Sequence, residues 1–154
     1  MNSRSNIRLR ILSEPIPGMT NKMIFVNIAV KDLPKSRAFF GALGYSFNEQ
    51  FCDETAACLV ISESIFAMLL TEPKFQSFTS KPLVDAKQST EVLIALSCES
   101  REEVDAQVAK AVAAGGATYN DPQDHGFMYS HGFQDLDGHI WEVFWMDPSA
   151  IAQA

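Results

Sequence analysis

Glu142 is the side chain whose surroundings most invite chemistry. It interrupts the apolar run Ile140-Trp141-Glu142-Val143-Phe144-Trp145. Side chains alternate along a strand, so Glu142 shares a face with Ile140 and Phe144, opposite His139 and Trp141. A carboxyl held among apolar groups is expected to have a raised pKa, which suits proton transfer near neutral pH. The competing reading is a carboxylate paired with an arginine or a water and serving only the fold. Asn27 shares parity with Phe25 and Ala29, and there its amide either orients a ligand or satisfies a neighbouring strand. His125, Tyr129 and His131 share parity with Phe127 and Phe133. Such a row either lines a pocket for a planar ligand or faces outward against a partner subunit. His139 and Glu142 are three apart on opposite strand faces, so they cannot chelate one ion together.

Other chemistries have little to stand on. There is no G-x-S-x-G, no phosphate-binding glycine loop and no zinc-type cysteine cluster. Cys52, Cys58 and Cys98 are odd in number and lack C-x-x-C spacing, which reads as buried, reduced thiols in a cytoplasmic protein. A net charge of -7 argues against a general affinity for nucleic acid. No apolar run approaches the ~18 residues of a membrane span. The first 22 residues carry Arg4, Arg8, Arg10 and Lys22 against Glu14 alone, with Pro15, Pro17 and Gly18 between them. They read as a frayed, disordered basic tail.

The elements that must position Glu142 and Asn27 occur twice over. Met23–Val30 is predicted to be a strand. Asp32 caps a helix striped by Leu33, Phe40 and Leu43 and ended by Gly44. Strands are then expected over Tyr45–Glu49, Thr55–Ile61 and Ile65–Thr71. After a polar connecting loop at 72–90, containing Phe75 and Phe78, the order repeats. Glu91–Cys98 is predicted to be a strand. Ser100 and Glu103 form a capping box, Val104, Val108 and Ala111 mark the helix face, and Gly115-Gly116 ends the helix. Strands are expected over Ala117–Asn120, Phe127–Gln134 and His139–Met146, the last two joined by the turn Asp135-Leu136-Asp137-Gly138. The fold class is therefore α+β, with two tandem βαβββ modules in one domain over 23–147 and a short tail at 148–154. The modules are expected to form a curved eight-stranded sheet around a central cleft, with 72–90 as a lid.

The wording Val30, Asp32, Leu33, Ser36, Phe39, Phe40, Leu43, Gly44, together with the terminal Asp135, Asp137, Gly138, Glu142, resembles the vicinal oxygen chelate superfamily. That group includes glyoxalase I, bleomycin-resistance proteins, extradiol dioxygenases and fosfomycin-resistance enzymes. The resemblance implies a small-molecule cleft, a homodimer, and in the metal enzymes four cleft-facing ligands. Carried over residue by residue, those positions hold Phe25, Met68 or Leu69, Leu93 and Glu142. Only Glu142 is a donor. Divalent ions need several oxygen or imidazole ligands held together. The expectation is a site without a metal or other cofactor, or with at most a weakly bound divalent ion at Glu142. Three functions follow from the resemblance. The first is a binding protein whose ligand touches Phe25, Asn27, Met68, Leu93, Tyr129, His131 and Phe144. The second is a metal-independent lyase or isomerase with Glu142 as general acid/base. The third is a metal-dependent lactoylglutathione lyase.

Overall fold

The computed structural model describes residues 21–151. Almost all of the basic tail, and the last three residues, lie outside the described residues. Module one contains β1 (Ile24–Val30), α1 (Leu33–Ala42), β2 (Ser46–Phe47), β3 (Ala56–Val60) and β4 (Ile65–Thr71). The connection begins with α2 (Glu72–Gln76). Module two contains β5 (Leu93–Ser97), α3 (Arg101–Ala113), β6 (Gln123–Asp124), β7 (Met128–Gln134) and β8 (Ile140–Met146), followed by one helical turn, α4 (Pro148–Ile151).

The helix boundaries arise from short-range chemistry. Asp32 accepts from the Lys35 N–H at 3.0 Å, and Ser100 accepts from the Glu103 N–H at 3.1 Å. Each side chain thereby satisfies a backbone donor that has no partner within its helix. Gly44 and Gly115 close the two helices at φ values of 100° and 104°, a region that L side chains avoid. The next N–H bonds match as well: Tyr45 to the Phe40 carbonyl and Gly116 to the Ala111 carbonyl. The helices thus end alike, and α3 is the longer.

The strands run in the order β1-β4-β3-β2 in one sheet and β5-β8-β7-β6 in the other. In each, the first and last strands of the module pair in parallel and the remaining pairs are antiparallel. Two expectations are corrected. The eight strands form two four-stranded sheets, not one continuous sheet: the outer strands β1 and β5 pair with no strand of the other module. At the seam, side chains take the place of a ladder. Asp137 Oδ1 accepts from the Lys31 N–H at 2.9 Å, and His139 Nε2 bonds the Ala29 carbonyl at 2.7 Å. The sixth strand is also displaced. Ala117 makes only an isolated bridge with Gln134, and the outer strand is Gln123–Asp124. Pro122 has no N–H to give a ladder, and between the two points the chain leaves the sheet and carries Tyr119 across it.

One core spans both modules. Phe40 meets Trp141 edge-on at 5.0 Å, Phe39 lies 6.2 Å from Phe133, and Phe133 stacks on Trp141. Ile28, Val30, Leu59 and Leu69 join Val104, Val108, Ala111 and Val143 in the same buried cluster. Each fully buried side chain of this size contributes ~2–3 kcal/mol by leaving water. Asp135 supports the core from its edge, accepting from the Trp141 indole N–H and from the backbone N–H groups of Asp137 and His139, each at 3.0 Å.

Candidate functional site

The faces that both sheets turn away from this core carry the candidate site. In module two, Glu142 on β8 pairs with Ala95 on β5 and Gly132 on β7. Ile140, Phe144, Leu93 and Ser130 share that face through the same registers. In module one the corresponding row is Asn27, Met68 and Cys58. Met68, not Leu69, is therefore on the open face, since Leu69 is wholly buried in the core. Phe25 stacks on Phe66 at 4.8 Å, and Phe25 and Leu93 remain about half exposed.

Glu142 has a partner that sequence reasoning passed over. The Tyr119 hydroxyl donates to Glu142 Oε1 at 2.8 Å. The ring reaches that position by lying over Gly132, where an added Cβ would come within 2.6 Å of Tyr119 Cε1. A glycine in mid-strand is costly in itself and marks a close approach. Here the approach is an aromatic ring that covers the gap. Burial, followed by the bond to Glu142, pushes the Tyr119 phenol above its ordinary pKa. The phenol is therefore a neutral donor at physiological pH. A carboxylate and a phenol linked in this way can hold a ligand polar group between them or pass it a proton.

The row Tyr129 and His131 does not join this face. Their cross-strand partners are Trp145 and Val143, on the core side of β8. Tyr129 donates to Asp105 Oδ1 on α3 at 2.6 Å, and His131 Nε2 bonds the Asn120 carbonyl at 3.1 Å. The expectation that these two residues line a pocket with Glu142 is corrected. Stacking of Phe133 on Trp141 sets which face of β7 turns inward, and residues of the same parity follow it. Arg101 sits over both Tyr129 and Trp145 while holding Asp124 through two nitrogens, so the row is built into the α3–β6 contact. Asn27 donates to the Phe25 carbonyl of its own strand at 3.3 Å.

The donor set does not fit a divalent ion. Phe25, Met68 and Leu93 offer no oxygen or imidazole beside Glu142, and among the described residues no group of three or more His, Cys, Asp or Glu could hold a metal. No described helix is long and apolar enough to cross a membrane. A pocket of about 200 Å³ lies beside this face at the seam, between the outer edge of β1, the start of β8 and the connecting segment.

The fold is that of proteins of the bleomycin-resistance and glyoxalase type. Residues 22–62 match the family model described as bleomycin resistance protein-like N-terminal. A hypothetical protein from S. aureus, SA1046, is 34% identical with a TM-score of 0.69, over 83% of this chain and 95% of that one. A glyoxalase/bleomycin resistance protein/dioxygenase family enzyme from Burkholderia phytofirmans is 17% identical, with a TM-score of 0.68 over 81% and 98%. The fosfomycin resistance protein FosX from Listeria monocytogenes is 21% identical, with a TM-score of 0.59 over 82% and 94%. A search of the curated proteins gives no significant match. The chain is a relative of SA1046 and has the fold of the glyoxalase/bleomycin-resistance proteins.

Proposed function

We propose that this protein binds a small organic molecule on the open face at Glu142 and does so without a tightly held metal ion. One observation carries the reading. The only carboxylate among the four family ligand positions is hydrogen-bonded to Tyr119 over Gly132, while Phe25, Met68 and Leu93 make the other positions apolar. Apolar walls with a few convergent polar groups are the usual make-up of a small-molecule site. A ligand with a cationic or hydrogen-bond-donating group on a planar apolar body matches these walls. Phe144 and Asn27 extend the contact. The half-exposed Phe25 and Leu93 support a homodimer in which a second copy covers part of this face. Three free thiols support a reducing, cytoplasmic setting.

Binding is tested by a thermal-shift screen of a metabolite and antibiotic library against the wild type and Glu142→Gln. Gln keeps an oxygen to accept from Tyr119, so Glu142→Gln is expected to melt at the same temperature or slightly higher. The shifts produced by cationic hits are expected to fall at least severalfold. A large loss of stability with undiminished shifts would give Glu142 a purely structural role. Elemental analysis of protein dialysed without chelator is expected to find well under one equivalent of zinc, nickel, iron or manganese. A stoichiometric ion that is lost in Glu142→Ala would overturn the metal-free reading. The Tyr119–Glu142 pair also favours a second reading, a metal-independent lyase or isomerase in which Glu142 moves a proton. On that reading a hit is turned over by the wild type and only bound by Glu142→Gln.

A further inference from the structure

β1 is an outer strand, so alternate backbone groups point away from its sheet. The Ile24 N–H donates toward β4, to the Ser64 carbonyl. The alternation then sends the N–H and C=O of Phe25, Asn27 and Ala29 to the free edge. Two contacts agree with that direction: the Ala29 carbonyl meets His139 Nε2 from module two, and the Phe25 carbonyl takes the Asn27 amide. Among the described residues, the Asn27 N–H, the Asn27 C=O and the Ala29 N–H have no backbone partner.

The seam pocket of about 200 Å³ runs along this edge. Val26–Ala29 form one wall, Ile140, Phe75, Leu83 and Val92 contribute apolar surface to the rest, and Glu91 and His139 are polar groups at its lining. An uncovered strand edge is a pairing template that folded proteins ordinarily cover. Here the connecting segment passes over the edge and leaves a mostly apolar chamber against it. The chamber has the volume of about seven water molecules at about 30 Å³ each. It is too small for a folded partner and large enough for one or two amino-acid units.

We propose that this pocket binds a small apolar N-acylamino acid or dipeptide-like molecule, which pairs with Asn27 as one added residue of strand. The ligand's amide N–H donates to the Asn27 carbonyl, its carbonyl accepts from the Asn27 N–H, and its apolar side chain lies against Ile140 and Leu83. This is strand addition on the scale of a single residue. It does not rest on the reading of Glu142, whose carboxylate is not part of this wall.

The test is an NMR titration of the whole chain, labelled with nitrogen-15, with N-acetylalanine N-methylamide as probe. Saturable shifts at the Asn27 and Ala29 amides are expected, with millimolar affinity. The same probe methylated on its acetyl-bearing nitrogen has lost the donor to Asn27 and is expected to bind about tenfold more weakly. Val84→Trp, at a half-exposed position on the pocket wall, is expected to abolish the shifts. If that variant does not fold, the methylated probe still decides. Equal binding by both probes overturns the proposal. So does the absence of any shift at Asn27 and Ala29, or a response centred on Tyr119 and Glu142.

Discussion

Modules one and two share strand order, helix caps and helix terminators, yet the middle rows of their open faces differ. Module one presents Asn27, Met68 and Cys58, and module two presents Ala95, Glu142 and Gly132. In module one the row is closed at its far end by a fully buried cysteine. In module two the same place is a glycine, and the space above it holds the Tyr119 ring. A carboxylate thus stands where its counterpart has a thioether, and a phenol reaches it from the segment that follows α3. The duplicated architecture supplies two matching walls. The few residues on the faces then give one wall an amide, a thioether and a thiol, and the other a carboxylate with a phenol bound to it.

The comparison depends first on the modules being one cooperative unit. Trp141 is 1% exposed and touches Phe40 of module one and Phe133 of module two. Trp141→Ala is expected to cost about 3–5 kcal/mol, and it also strips Asp135 of an indole donor. Chemical denaturation should still show one transition. Two transitions, with module one unaffected, would break the picture of a shared core. The rows themselves are then exchanged. Met68→Glu puts a half-buried carboxylate where no tyrosine meets it and is expected to cost about 2 kcal/mol. The reciprocal Glu142→Met is expected to change stability by less than about 0.5 kcal/mol, because Tyr119 is 37% exposed and a water can take the place of Glu142. Equal costs for the two swaps would mean that the faces are not specialised.

The features legible in the sequence are those governed by neighbours along the chain. Asp32 and Ser100 as caps, Gly44 and Gly115 as terminators, and the Asp135–Gly138 turn each act within about one turn of backbone. Alternation alone puts Glu142 on the face of Ile140 and Phe144. What escaped reading depends on contacts across the fold. Tyr119 lies 23 residues from Glu142, and its route is set by a missing side chain at Gly132. A lone glycine inside an otherwise strand-like run, Met128–Gln134, was the signal that could have pointed to it. The shared parity of Tyr129 and His131 holds in the strand, but parity says nothing about which side is inside. The seam pocket has no sequence pattern, because one wall is a strand's backbone edge and the others come from segments far apart along the chain.

Gly132→Ala sharpens the comparison at its centre. The new methyl group would lie 2.6 Å from Tyr119 Cε1, so the ring must leave or the strand must shift, at a cost of about 1–3 kcal/mol. Ligand shifts at Glu142 should weaken with it. Adding Tyr119→Ala removes the clash, so the double variant should be less destabilised than the two single costs added together. Simple additivity by thermal denaturation would show that Tyr119 does not sit over Gly132. Tyr119→Phe keeps the ring and removes only the hydroxyl, and it is expected to cost less than about 1 kcal/mol.

A pH dependence is tied to a second difference between the modules. After the helix terminator, module one has Tyr45 and module two has Gly116, where a Cβ would lie 2.5 Å from the Gln134 carbonyl oxygen. Only module one can place a phenol at this point, and it lies close to Cys98 of module two. Burial pushes the Tyr45 phenol up to about 12 and, with Glu103 and Glu99 nearby, the Cys98 thiol up to about 11. Both groups ionise earlier in the unfolded chain, near 10 for tyrosine and about 8.5 for cysteine. Above those values the unfolded state loses protons that the folded state keeps, so stability falls as pH rises. The melting temperature should therefore hold steady up to about pH 8.5 and decline through the window up to about pH 12. Cys98→Ala should flatten the lower part of that decline and Tyr45→Phe the upper part. A decline unchanged in both variants would move its origin to other groups and leave the Tyr45–Gly116 difference without this consequence.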